Sequence, residues 1–314
     1  MAVFFEVGFF LPALIRINMK KINKAILPVA GFGTRFLPAT KAQPKEMLPI
    51  VDKPVIQYLV EEAVKSGIEE VVFVTGRGKR AIEDHFDYSF ELSKTLVEKN
   101  KLDLVKKVQA IENLAKFSYV RQPIPLGDGH ALKCAAHLVA EDEAVLVMFG
   151  DTLYDSIVPP SKQIIDLYEK YEAPIIGLSE VAPEDVNKFG VIRGEDLGDG
   201  NFLIKEFVEK PKVGEAPSNL AAVGLYVITP EIFQILETME SGKSGEIRLA
   251  DAFDILLASG KPLYGKKLEG EWLDTGNKFN FIKATLKFGF KDEEIGSDLK
   301  KLVISLADDL KNKK

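Results

Sequence analysis

The sequence predicts a three-layer α/β fold, with a mostly parallel central sheet that becomes mixed in its second half and helices on both faces. Two observations carry this. Short apolar runs, Ala25-Ala30, Val71-Thr75 and Ala144-Phe149, show no polar alternation, which suits strands covered on both sides. Amphipathic stretches, Val55-Ser66 and Lys79-Phe86, separate the first of them. Strand, helix and strand therefore repeat as βαβ units of the Rossmann-like kind.

The elements follow in order. Ala25-Ala30 is the first strand, Val55-Ser66 the first helix, Val71-Thr75 the second strand and Lys79-Phe86 the second helix. Residues 88–114 are charged and periodic, as one or two surface helices are, and Phe117-Arg121 resumes the strand pattern. After Pro159-Pro160 the texture changes. Ile175-Val181, Val191-Arg193, Phe202-Val208 and Leu220-Ile228 are strand-like, with turns at Asp199-Gly200 and Pro211-Lys212, so this half predicts a mixed sheet with hairpins. Helices near Pro230-Met239 and Ile247-Ser259 follow, then a strand around Leu263-Leu268, then helix from Phe279 onward. No repeat or flexible linker interrupts the chain, so residues 19–290 read as one domain and residues 291–314 as a helical tail.

Composition excludes several classes. The 314 residues are 46% apolar and 28% charged, with 41 Lys and Arg against 47 Asp and Glu, a formal charge of −6. Cys134 is the sole cysteine, so no internal disulfide can form. The mild acidic excess lacks the basic clustering of a nucleic-acid or membrane-surface binder. Any bound anion must be caught by a few placed cations. One stretch departs from this profile: residues 1–18 are strongly apolar up to a polar restart at Met19-Lys20-Lys21. Glu6 and Pro12 break the run, and its cations follow it, the reverse of a secretory signal. The stretch reads as an extension outside the functional domain, either preceding an initiator at Met19 or packed on the body, and the chain as cytoplasmic.

The first strand runs into Ala30-Gly31-Phe32-Gly33-Thr34-Arg35, a glycine-rich turn at the place where open α/β sheets seat phosphates. Taken alone, such a turn is as much a structural tight turn as a binding loop. Phe36 occupies the third glycine position of the dinucleotide fingerprint, and no Gly-Lys-Ser/Thr follows. What shifts the balance is Arg35 and Lys45 beside the turn, in a segment stiffened by Pro38, Pro44 and Pro49. Two positioned cations at a backbone anion seat suit a polyphosphate. Later, Asp151 sits at the C-terminal mouth of the Ala144-Phe149 strand, and Asp274 ends Trp272-Leu273-Asp274. Each could cap a turn. Glu209-Lys210 before Pro211 has the look of an exposed strand-end charge pair. His85, His130 and His137 read as structural, and nothing resembles a zinc site or a Ser/His/Asp triad.

Gly31-x-Gly-Thr-Arg-Phe-Leu-Pro-Ala-Thr-Lys41 with Pro44-Lys-Glu-Met-Leu-Pro-Ile50 resembles the signature of the sugar-1-phosphate nucleotidyltransferases. Gly76-Arg-Gly-Lys-Arg-Ala-Ile-Glu-Asp-His-Phe-Asp-Tyr88 is similar to the bacterial uridylyl-transferring branch rather than to the thymidylyl one. The likeness runs from about Lys21 to Phe288, through Arg121-Gln122, Pro125-Leu126-Gly127, Val208-Glu-Lys-Pro211, Pro217-Ser-Asn-Leu220, Thr229-Pro-Glu-Ile-Phe233 and Leu273-Asp-Thr-Gly276. It implies that the backbone of Ala30, Gly31, Gly33 and Thr34 holds the nucleotide, with Arg35 and Lys45 acting on the triphosphate. Gln122, whose amide offers a donor and an acceptor, and Gly127 would read uracil. Gly190, Glu209, Lys210 and Gly224 would hold the sugar phosphate, and Asp151 and Asp274 would bind Mg²⁺. The implied substrates are UTP and glucose 1-phosphate, and the implied assembly is a homodimer or homotetramer.

Several positions depart from the family pattern. Val29 and Phe32 replace Ala and Leu in the glycine loop, Asp128 stands where Leu is usual, Thr152 replaces the second Asp of Gly-Asp-Asp, and Arg248 and Ala250 replace Gln and Thr. Three rival readings remain: a thymidylyltransferase on glucose 1-phosphate, a non-catalytic regulatory paralogue suggested by Thr152 and Arg248, and a nicotinamide-dependent dehydrogenase, disfavoured by Phe36.

Overall fold

The computed structural model describes residues 21–242 and 245–312; the expectations for residues 1–18 lie outside the described residues. In chain order the elements are β1 (Lys24–Pro28), β2 (Pro49–Ile50), β3 (Lys53–Pro54), α1 (Val55–Lys65), β4 (Glu70–Thr75), α2 (Arg80–Phe86), α3 (Phe90–Glu98), α4 (Leu102–Glu112), β5 (Lys116–Arg121), α5 (Asp128–Ala135), β6 (Val145–Met148) and β7 (Thr152–Asp155). There follow α6 (Pro160–Tyr171), β8 (Ile175–Glu180), β9 (Gly190–Gly198), β10 (Asn201–Glu209), β11 (Leu220–Ile228), α7 (Pro230–Thr238), α8 (Leu249–Ala258), β12 (Tyr264–Lys267), β13 (Glu271–Asp274), α9 (Lys278–Gly289) and α10 (Gly296–Asn312).

Nine strands form one sheet in the order β5-β4-β1-β6-β11-β8-β12-β10-β9. The expected parallel character is concentrated in β5, β4, β1 and β6, with Ile26 opposite both Val72 and Val147. Beyond β6 the sheet is mixed. β11 runs antiparallel to β6 and β8, β12 is parallel to β8, and the β9–β10 hairpin closes the edge. The unalternating apolar runs now have their reason. Along β1, Ile26 packs into one core while Ala25 and Leu27 pack into the other; along β6, Val145 and Val147 face one side and Leu146 and Met148 the other. A period of two with both faces covered leaves no position for a polar residue.

Helices α5, α7 and α8 cover one face, and α1, α2 and α6 the other, which gives the three layers. A smaller third core joins Ile50, Val55, Leu153, Leu273 and Ala284, so that α9 clamps the β7–β13 pair. The stretch 88–114 resolves into two helices, α3 and α4, and the C-terminal region into α9 and α10, with a break between Gly289 and Gly296. Because β1, β4, β5 and β6 point the same way, their C-terminal ends open on one edge, and the loops leaving them build the site.

Candidate active site

The loop after β1 lies at the edge where β1 has β4 on one side and β6 on the other. Its neighbours are close: a Cβ at Gly76, in the loop after β4, would stand 2.9 Å from the Ala30 carbonyl oxygen. Pro28, Ala30, Gly31, Lys45, Gln122 and Gly127 contribute to the wall of one cavity. Gly31 faces open space there, with nothing within 4 Å of its Cβ position. Gly33 and Thr34 stand outside that wall, in the short turn beside Lys45; Gly33 has a left-handed φ of 64° and its carbonyl accepts from the Thr40 hydroxyl at 2.8 Å.

Gln122 directly follows β5 and is 7% exposed. Its Nε2 donates to the Gly127 carbonyl at 2.8 Å and to Nδ1 of His130 at 3.1 Å, which commits the NH₂ and leaves Oε1 as the group able to accept a ring N–H. Burial keeps the His130 imidazole below its ordinary value, consistent with a neutral, accepting Nδ1. His130 is thus an orienting residue that the sequence reading took as merely structural; its spacing of eight from Gln122 carried no signal. Gly127 has a φ of 101°, and a Cβ there would meet the Ile247 carbonyl oxygen at 2.5 Å, so only glycine fits.

The carboxylates converge. β13 pairs antiparallel with β7 so that Asp274 lies opposite Thr152, next to Asp151. Thr275 donates from its amide and its hydroxyl to the Asp151 carbonyl, each at 3.0 Å. A point at the Cβ position of Gly276 is 2.7 Å from Asp151 Oδ2, 2.8 Å from Asp274 Oδ1 and 3.4 Å from an Arg35 guanidinium nitrogen. Lys45 Nζ donates to Asp151 Oδ2 at 2.5 Å. Burial works against charge on Lys45, but Asp151, Glu46 and Asp274 outweigh it and hold the ammonium above its ordinary value. Behind Lys45, Glu46 (1% exposed) pairs with Lys79 at 2.8 Å. Burial lifts the Glu46 carboxyl in spite of Lys79 and Lys45.

Thr152 turns away from this cluster. Its hydroxyl donates to the Val223 carbonyl at 2.6 Å and is 2.7 Å from a Cβ placed at Gly224. A carboxylate could not donate to the Val223 carbonyl, so an Asp at position 152 would need a different rotamer.

A second cavity adjoins the first and shares Asp128, Phe149 and Asp151 with it. Arg35, Gly190, Glu209, Lys210, Gly224 and Asp274 also line it, so every residue expected at the sugar phosphate is brought together there. Gly190 is required by close packing, since a Cβ would lie 2.2 Å from the Phe207 ring and 3.0 Å from Glu209 Oε2. Glu209 and Lys210 pair at 3.0 Å, with Lys210 more exposed than Glu209. Phe149, Lys188 and Trp272 line the same wall without having been singled out from sequence; their facing depends on how the strands are registered. Arg248, at the start of α8, also reaches this wall and pairs with Asp251 at 3.4 Å.

At this edge of the mixed sheet the glycine loop, Arg35, Lys45 and the two carboxylates stand together, and the nucleotidyl transferase family model matches residues 24–289. The chain belongs to this family. It is 49% identical over 288 residues to the UTP–glucose-1-phosphate uridylyltransferase of Staphylococcus epidermidis, covering 92% of this chain and 99% of that one. Among solved structures, UDP-glucose pyrophosphorylase complexed with UDP-glucose matches at a TM-score of 0.78 and 44% identity, over 86% of this chain and all of that one. UTP-bound UDP-glucose pyrophosphorylase from Acinetobacter baumannii matches at 0.84 and 39%, over 91% and 99%. A glucose-1-phosphate thymidylyltransferase structure from Bacillus anthracis, at 22% identity and a TM-score of 0.64, shares the fold alone. No helix among the described residues is long and apolar enough to cross a membrane.

Proposed function

We propose that this chain transfers UMP from UTP to glucose 1-phosphate, releasing pyrophosphate and forming UDP-glucose. The observation that carries it is the meeting of two cavities at Asp151: one lined by Gln122, Gly127 and the glycine loop, the other by Glu209 and Lys210. The relatives whose names state UTP and UDP-glucose support the choice of substrates, and the distance of the thymidylyl enzyme argues against dTTP.

An oxygen of the sugar phosphate attacks the α-phosphorus, the bond to the β,γ-pyrophosphate breaks, and pyrophosphate leaves with the electron pair. The nucleophile is already ionised at neutral pH, so no general base is required. In this reading Gln122 and Gly127 hold uracil and Ala30, Gly31, Gly33 and Thr34 follow the nucleotide by backbone contact. Arg35 and Lys45 neutralise the triphosphate, while Glu209 accepts sugar hydroxyls beside Lys210, Gly190 and Gly224. Catalysis is then orientation and charge neutralisation.

Asp151 and Asp274 fit a hard divalent cation such as Mg²⁺, since both carboxylates line one cavity beside Arg35 and phosphate oxygens and water can complete the shell. When bound, such an ion would offset charge developing on the α-phosphate. A pyrophosphate-release assay across the four ribonucleotides, dTTP and several sugar 1-phosphates tests the reading. UTP with glucose 1-phosphate is expected to be fastest; release with dTTP alone favours the thymidylyl reading, and none with any pair the regulatory one.

A further inference from the structure

Asp128 is unusual in three respects that the reaction above leaves unused. It opens α5 directly after Gly127, at the end of the first cavity where Gln122 sits, and it belongs to the walls of both cavities. One of its oxygens is fully engaged: Oδ1 accepts from the Gly129 amide at 2.7 Å and the Leu249 amide at 2.9 Å, so that the side chain is pinned between the starts of α5 and α8. The other, Oδ2, accepts nothing among the described residues, and no Lys, Arg or His forms an ion pair with the carboxylate. Burial lifts its carboxyl above the ordinary range despite the two amides, and the charges of Glu209 and Glu246 add to the rise.

A pinned carboxylate with one free oxygen, no counterion and acidic neighbours is poorly served by an anion and well served by neutral hydroxyl donors. The position selects which hydroxyls. If the base is held at Gln122 and the phosphates at Lys45, the ribose must lie between them, and Asp128 is the acidic side chain that the two cavity walls share besides Asp151. We propose that Asp128 is a specificity residue whose Oδ2 accepts from the ribose 2′-hydroxyl, so that the chain selects ribonucleotides over 2′-deoxyribonucleotides. This rests on the nucleotide seat proposed above. The position carries Leu in the family pattern, so the property would belong to this chain.

The test compares UTP with dUTP, which differ only at the 2′ position, in kcat/KM for pyrophosphate release and in calorimetric binding. A site built to bond a hydroxyl rejects the analogue that lacks it, and one bond to a carboxylate is worth a preference of roughly 10- to 100-fold for UTP. Asp128→Asn keeps an oxygen for the Leu249 and Gly129 amides and removes the free acceptor. It is expected to lower the UTP value by about that factor and the dUTP value by less than about threefold. A wild-type chain that does not distinguish the two overturns the proposal without any variant. So does an equal loss with both nucleotides, or a loss confined to the KM for glucose 1-phosphate, which would place the hydroxyl on the hexose. Running CTP, ATP and GTP against their deoxy forms separates the two readings. Preference for another base sinks the uracil reading, while the ribo-to-deoxyribo ratio with that base still decides the role of Asp128.

Discussion

At the scale of single residues, the site is a set of charges that restrain one another before substrate arrives. Lys45 is bound to Asp151 and backed by the Glu46–Lys79 pair, so in the proposed reaction the triphosphate would meet an ammonium already fixed in place. Asp151→Asn is expected to reduce turnover by at least about 100-fold, with a melting temperature close to that of the parent; near-normal activity would move the cation site elsewhere. Lys210 is more than half exposed, so Lys210→Ala should change stability by under about 0.5 kcal/mol. Its effect should fall on the KM for glucose 1-phosphate and leave UTP binding almost untouched, and equal damage to both would exclude the sugar-phosphate role. Lys79→Met removes one partner of an ion pair that is almost wholly enclosed and strands Glu46. Breaking such a pair costs about 3–5 kcal/mol, which urea unfolding would register directly. Adding Glu46→Gln should recover part of the loss, because the stranded charge is then gone.

At the scale of elements, the chief question is how helices are fixed to one another. α6 begins with Pro160 and has no capping side chain of its own; instead Glu62 on α1 accepts from the Ser161 amide at 2.7 Å and its hydroxyl at 3.1 Å. The residue lines a cavity wall, but its carboxylate is enclosed against the start of α6, and burial, only partly offset by Ser161, pushes it up to about 7. An unfolded glutamate titrates near about 4.3, so the folded state holds this proton more tightly than the unfolded one. The stabilisation is therefore complete below about pH 4 and is lost as pH rises towards about 7, amounting to at most about 4 kcal/mol. Glu62→Gln keeps the acceptor for Ser161 and should flatten that part of the profile, leaving the variant more stable than the parent at pH 8 but not at pH 4.5. Denaturation at the two pH values decides it, and an equal shift at both would mean that the carboxylate charge is not the cause. α6 also marks the limit of the sequence reading, which assigns no element to 160–171. The signals were present, a proline at the first helical position and apolar residues at 164, 165, 167, 168 and 171, but the strand-rich stretch that follows drew the reading away. α5 is harder: eight residues with glycine second and little apolar bias, set by contact with α7, α8 and the sheet rather than by propensity.

At the scale of the whole molecule, the site belongs to both halves of the sheet. The glycine loop and Gln122 come from the parallel half, Glu209 and Lys210 from the β9–β10 hairpin side, and β11 ties them by pairing with β6 and, at Ala221, with β9. UTP at 100 times its Kd is expected to stabilise the chain by about 2.7 kcal/mol, read as a single upward-shifted thermal transition; two separate transitions, with only one moved, would show that the halves unfold independently. Residues 25–30, 71–75, 144–149 and 220–228 were legible as strands because burial on both faces writes itself into a continuous apolar run. The glycine loop, the flanking cations and both aspartates were legible because their chemistry is local to short motifs. Other features depend on chain segments far apart in sequence. Asp274 reaches Asp151 through the β7–β13 register, Thr152 turns to the Val223 carbonyl, His130 orients Gln122, and Asp128 is pinned by an amide 121 positions away. The sequence by itself determined the strand pattern, the family likeness and the types of group in the site, since these follow from local periodicity and residue chemistry. Only the tertiary structure decided which of those groups face one another, because a side chain's partner across a sheet is set by register and strand order, and neither is encoded within a short stretch of the chain.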